Sequence, residues 1–202
     1  MHNKNTQFKP ISNKTYVNVL FLLVAVVANF VGSWIIKTFF PDRVAVTDLM
    51  FKITPHYPSL QYLTDIFNIF SFLLIIYYMV INKFKNANYI LANYAWVYLL
   101  RAFLIIMTPL GGINGNDAQY GISAIKQYGA FPSGHTIMVT ITYLILRDSA
   151  STKYLKGLAL LCVIGEIITL ILSRGHYSID IVGALLLCYF VYNEIKRRKI
   201  MV

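Results

Sequence analysis

Six stretches of apolar sequence, most of them near the length needed to cross a bilayer, constrain this chain more than any other feature. About 20 mostly apolar residues span the hydrocarbon core. Such runs can be marked at roughly Tyr16–Phe40, Tyr62–Ile81, Tyr89–Thr108, Ser133–Leu146, Leu155–Ser173 and Ser178–Ile195. Charged residues make up 13% of the 202 residues and hydrophobic ones 57%, whereas soluble domains average roughly 25% charged. The connections are short, with no soluble domain, internal repeat or low-complexity tract between the runs. The expectation is therefore an all-α integral membrane protein, a six-transmembrane-helix bundle forming one domain over 1–202. A tail at 1–15 precedes the spans at about 16–195, and a basic tail follows at 196–202. The fourth run is the shortest, and its start lies within a few residues of Pro132.

A net charge of +10 would suggest nucleic acid as the partner of a soluble protein. Here the charge is sorted by loop, as the positive-inside rule describes. The N-terminal tail (Lys4, Lys9, Lys14), the second loop (Lys83, Lys85), the fourth loop (Arg147, Lys153, Lys156) and the C-terminal tail (Lys196, Arg197, Arg198, Lys199) hold twelve basic residues. The alternate loops hold four, namely Arg43, Lys52, Lys126 and Arg174, with Lys37 and Arg101 near the outer ends of spans. This bias puts both termini in the cytoplasm, the parity that six spans require. The bilayer is then the expected partner, nucleic acid is not, and the oligomeric state is left open. The first run is about 25 residues with no small-x-small site after it, so it reads as an uncleaved span. Cys162 and Cys188 fall mid-span, where they read as packing residues and not as a disulfide.

Polar groups inside a membrane are costly, so their clustering is informative. Arg101, the segment Phe131-Pro132-Ser133-Gly134-His135-Thr136 and the segment Ser173-Arg174-Gly175-His176-Tyr177-Ser178-Ile179-Asp180 all fall at the ends assigned outside. The charge count did not use the histidines and aspartate of these segments, so the shared side supports a shared site. Pro132 reads as the opening of a helix whose first N–H groups stay unpaired, a natural phosphate cradle, with His135 one turn inside it. The plainer reading is a capped helix with an incidental histidine. His176 and Asp180, four apart, share one helix face. The carboxylate can hold the imidazole N–H and stabilise the cation formed when the ring acts as a nucleophile. Arg174 supplies a planar fork suited to phosphate. The bland alternative is an interfacial belt of Arg, Tyr and His with Asp180 capping a helix, which does not explain why the acid enters the apolar run.

Phe131-Pro132-Ser133-Gly134-His135 resembles the Pro-Ser-Gly-His signature of the type 2 phosphatidic acid phosphatase superfamily. Ser173-Arg174 with His176-x-x-x-Asp180 resembles that superfamily's Ser-Arg…His-x-x-x-Asp signature. The two histidines stand in family order, 41 residues apart. The resemblance implies a phosphohistidine mechanism in which His176 attacks phosphorus, Asp180 supports it and His135 protonates the leaving oxygen. It also implies phosphate binding by Arg174 and by backbone groups of Ser133 and Gly134, with no metal and no other cofactor. Only Gly175 separates Ser173-Arg174 from His176, where the lipid phosphatases place about five residues, which bears on the aim of Arg174. Their Lys-x6-Arg-Pro signature is absent. In its place, Arg101 with Thr108-Pro109 and the compact His176-Tyr177-Ser178-Ile179-Asp180 are similar to features of sphingomyelin synthases and related lipid phosphotransferases. Arg101 thus joins the expected phosphate-binding set.

The implied function is hydrolysis or transfer of a lipid phosphate or phospho-head-group at the extracytoplasmic face of the plasma or inner membrane. The partners would be a phosphorylated membrane lipid and, for transfer, a second lipid as acceptor. Glu166, mid-span in the fifth run, reads either as functional or as paired within the bundle. Asp65, Asn68 and Asp48 read as helix starts and polar interface before head-group contacts. The rival from another class is a transporter, which would spread ionisable groups through the depth of several spans. Here they gather at one end, with Glu166 the exception.

Overall fold

The computed structural model describes residues 13–113, 129–148 and 153–198. The N-terminal charges Lys4 and Lys9, the loop charge Lys126 and the terminal Lys199 lie outside them. Every regular element among the described residues is helical: α1 (Asn13–Phe39), α2 (Leu49–Ile53), a 3₁₀ turn (Pro58–Leu60), α3 (Gln61–Ile81), α4 (Ala87–Met107), α5 (Gly134–Arg147), α6 (Lys153–Ser173) and α7 (Ser178–Arg198). Five helices, α1, α3, α4, α6 and α7, are long and apolar enough to cross a membrane. The fourth apolar run forms α5, whose 14 residues extend about 21 Å at 1.5 Å per residue, short of the roughly 30 Å hydrocarbon core.

The packing explains why α5 is short. It is the central helix, touching α3, α4, α6 and α7, while α1 packs chiefly on α4 at the periphery. Thr136, Thr140 and Thr142 of α5 are all buried, so its surroundings are protein and not lipid. Buried polar side chains return their donors to carbonyls one turn back, as Thr142 does to Met138 (2.9 Å), Thr169 to Gly165 (2.8 Å) and Asn93 to Tyr89 (2.8 Å). That local satisfaction is what an apolar medium demands. The exterior is apolar in turn, with Leu20, Phe30, Leu161, Leu186 and Phe190 each more than half exposed.

Where helices approach closely, small residues make room. A Cβ at Gly165 of α6 would lie 2.5 Å from the ring of Phe67 on α3, and one at Gly183 of α7 would lie 2.5 Å from the ring of Phe131. Cys162 and Cys188 are buried free thiols, as expected. At the end of α5 away from the histidines, Asp148 accepts from Arg147 (2.9 Å), Tyr192 (2.9 Å) and Lys196 (2.5 Å). The hydrogen bonds from Arg147 and Lys196 hold its carboxyl below the usual carboxylate range.

Candidate active site

The site forms where α5 and α7 begin. Ser133 is the N-cap of α5, its Oγ accepting from the Thr136 N–H at 3.2 Å and from Thr136 Oγ1 at 3.1 Å. The helix starts at Gly134, so Pro132 precedes the cap and does not open the helix as the sequence suggests. The Ser133 N–H donates to the Asp180 carbonyl at 3.1 Å. This corrects the expectation that it is open to phosphate, and it bonds the two signature segments directly to each other. Phe131 against Gly183 adds a second tie between them. Gly134 then stands at the first helical position, where an α-helix offers its N–H no internal acceptor.

Arg101 of α4 is 4% exposed. Its Nε donates to the Pro132 carbonyl at 2.9 Å and its Nη1 to Asn29 Oδ1 at 2.6 Å. Asn29 on α1 is itself held, its amide donating to the Ala25 and Tyr98 carbonyls at 2.8 and 2.7 Å. A Cβ at Gly134 would come within 3.3 Å of the guanidinium. The absent side chain therefore lets a planar cation lie flat against the start of α5, adding its charge to the positive end of the helix dipole.

Two imidazoles meet beside this cation, with ring centroids 6.2 Å apart. His176 is 1% exposed, and its Nδ1 lies 3.2 Å from Asp180 Oδ2, which also accepts the Tyr177 N–H at 3.0 Å. With that carboxylate as acceptor, Nδ1 carries the proton and Nε2 presents its lone pair. Among the described residues none makes a hydrogen bond to Nε2. His135 Nε2 lies 3.2 Å from Asp65 Oδ1 of α3. Each histidine thus has its own carboxylate. Asp65, read from sequence as interface or helix start, is instead the partner of a signature histidine. Asn29 was not singled out at all. Nothing local marks either one, because their partners lie 70 and 72 residues away in the chain.

The segment between α1 and α3 roofs the site. Asp48 caps α2 through the Met50 N–H (2.8 Å) and grips the start of α7 through the Ser178 N–H (2.5 Å) and Ser178 Oγ (3.1 Å). Arg174 is turned to this roof, Nη2 donating to the Phe51 carbonyl at 3.0 Å with the guanidinium over the Phe51 ring. It adopts φ of +55°, a left-handed conformation that costs an L-residue about 1–2 kcal/mol. The contacts that hold Arg174 in this structure are those to Phe51, whereas the guanidinium found at the start of α5 is that of Arg101. Tyr177 packs beneath the roof with its hydroxyl donating to the Gly111 carbonyl at 3.3 Å, and burial pushes its pKa up.

A cavity of about 810 Å³ opens from His135, Gly134, Arg101 and Asp65 into the wedge between α1 and α3. Its walls are otherwise mostly apolar, among them Leu22, Phe30, Ile69, Phe72 and Met79. Asp65 to Met79 on α3 corresponds to about 21 Å of helix, enough to take a lipid chain through one leaflet. Asn68 lines the same cavity. Glu166 is fully buried, facing Asn68 and Asp65 across the α3–α6 interface.

Residues 131–197 match a family model described as the C-terminal part of the PAP2 superfamily. That segment runs from Phe131 through both histidines into the last turn of α7. No curated protein matches the chain.

Proposed function

We propose, from the match of residues 131–197 to the PAP2 (type 2 phosphatidic acid phosphatase) superfamily model, that this chain is a membrane lipid phosphoesterase working through a phosphohistidine. The observation that carries the reading is the pair of carboxylate-held imidazoles 6.2 Å apart, at the start of α5 and beside a buried arginine. In the first displacement His176 Nε2 forms a bond to phosphorus while the ester P–O bond breaks. The departing oxygen takes a proton from His135. In the second, water or a lipid alcohol gives its proton to His135 as its oxygen bonds to phosphorus, and the P–N bond breaks. Asp180 steadies the charge that appears on the His176 ring. Arg101 and the Gly134 N–H neutralise the phosphoryl oxygens, so positioning and charge supply most of the acceleration. Arg174 joins them by leaving the Phe51 carbonyl when phosphate arrives.

A second reading, transfer to a lipid alcohol, is favoured by the burial of His176 and the apolar walls of the neighbouring cavity, which limit water at the adduct. Purified protein incubated with phosphatidate or phosphatidylcholine, with and without diacylglycerol or ceramide, separates the two readings. Mass spectrometry should find a dephosphorylated or head-group-free lipid, with inorganic phosphate marking hydrolysis and a new phospho-lipid marking transfer. Neither product from any donor would sink both readings.

The same proposal has six crossings, with α5 as the sixth inside a shell of longer helices. Both termini are cytoplasmic, and the site lies at the extracytoplasmic face of the plasma or inner membrane. The basic asymmetry among loops supports it. A cysteine at the exposed Ser59, in the 3₁₀ turn before α3, should react with a membrane-impermeant maleimide in intact cells. The native cysteines are buried and give little background. Labelling only after permeabilisation would reverse the orientation.

A further inference from the structure

One buried acid has no part in the two displacements. Glu166 sits well inside α6 with no exposed surface, facing Asn68 and Asp65 of α3. The neighbouring glycine sets its height in the bundle: a Cβ at Gly165 would lie 2.5 Å from the Phe67 ring, so α3 and α6 touch at the level of Phe67 and Asn68. Asp65, Asn68 and Ser71 recur at three-residue spacing along one face of α3, and Glu166 and Cys162 of α6 meet that face, Cys162 beside Ser71. The seam ends at Asp65, whose carboxylate lies 3.2 Å from His135 Nε2. Burying a carboxyl in an apolar interface costs stability, and a methionine would pack α6 on α3 without that cost. Packing alone gives no reason for the acid. Asn68 supplies one. Its amide donates to the Thr64 carbonyl at 3.1 Å, on the residue next to Asp65, and it also meets Glu166. Asn68 therefore clamps the turn that carries the Asp65 carboxylate, and Glu166 clamps Asn68.

Resting on the general-acid role proposed for His135, we propose that Glu166 is a positioning residue for proton transfer: by a hydrogen bond to Asn68 it fixes the turn of α3 that aims Asp65, and through Asp65 the His135 ring. Asn68 and Asp65 line the cavity, and Glu166 stands behind them. It thus serves protonation of the leaving oxygen and not the attack on phosphorus.

The test uses the full chain in detergent micelles, with phosphatidate and phosphatidylcholine as alkyl-ester donors and p-nitrophenyl phosphate and p-nitrophenyl phosphorylcholine as their activated counterparts. Glu166→Met keeps a side chain of similar length and removes its polar atoms. It should lower kcat on the alkyl esters by about tenfold, within the roughly hundredfold that a misplacement of about 1 Å costs. KM should stay, and the p-nitrophenyl donors should be spared. The Tm of this variant should equal or exceed that of the parent, because an apolar chain replaces a desolvated acid. Glu166→Gln, which keeps a hydrogen-bonding group facing Asn68, should restore the parent's ratio between donor classes. In an Asp65→Asn background Glu166→Met should add no further loss, since its effect passes through that carboxylate. A residue that only packs α6 on α3 would instead lower Tm and slow both donor classes alike. Equal losses on both classes, no loss, no rescue by Glu166→Gln, or a loss additive with Asp65→Asn would each overturn the inference while leaving the phosphohistidine reading standing. The absence of His176-dependent turnover with all four donors would overturn both.

Discussion

Replacing His176 by alanine is expected to remove lipid turnover by on the order of 10⁴-fold or more, together with any covalent phospho-protein. Nδ1 is committed to Asp180, and Nε2 is buried with no hydrogen bond from the described residues. Leaving a buried ring nitrogen unpaired costs stability, an arrangement that fits a group kept for reaction. A labelled donor quenched within one turnover should leave phosphorus on this ring as a phosphoramidate, labile in acid and stable in base. Loss of a nucleophile leaves only binding and electrostatic effects. Asp180→Asn should keep the shape but supply the wrong hydrogen-bond partner, weakening both displacements by a smaller factor. The measurement is rapid-quench labelling with peptide mapping. An undiminished adduct in His176→Ala, or an adduct mapped to His135, would reverse the roles given to the two rings.

The second large effect separates the histidines by the step each serves. His135→Ala should lower turnover of an alkyl lipid ester by roughly 10²–10⁴-fold, the usual worth of a positioned general acid. A donor with p-nitrophenolate as leaving group needs little protonation and should lose far less. Asp65 is the carboxylate beside the His135 ring, so Asp65→Asn should reproduce this pattern in weaker form, whereas Asp180→Asn should slow both donors alike. Parallel kcat/KM measurements on the two donors read the difference. An equal loss on both donors in His135→Ala would mean that the ring binds phosphate and transfers no proton.

How much of this was legible beforehand depends on the range of each interaction. The apolar runs predicted helix limits to within about three residues throughout, for instance Tyr62–Ile81 against Gln61–Ile81 and Ser178–Ile195 against Ser178–Arg198. In a bilayer the backbone must satisfy itself, so hydropathy alone dictates helix and length. The five-residue α2 left no such signal, and its start at Asp48 was legible only as a helix-capping residue type. The pairing of His176 with Asp180 could be read because a four-residue spacing is a local fact of helix geometry. The motif order likewise pointed to the family that residues 131–197 match.

What the sequence determined by itself, then, was an all-helical, membrane-suited chain and two short segments carrying the reactive side chains. Tertiary structure alone decided which residues stand behind them. Asp65 reaches His135 across 70 residues, Asn29 sets Arg101 across 72, and Asp48 grips Ser178 across 130. It also turned the shortened loop so that Arg174 lies on Phe51 while Arg101 fills the space beside Gly134. The physical reason is that a polar group buried among apolar helices must take whichever partner packing brings within about 3 Å. Which helices become neighbours follows from side-chain fit summed over their whole lengths, a property that no single segment encodes.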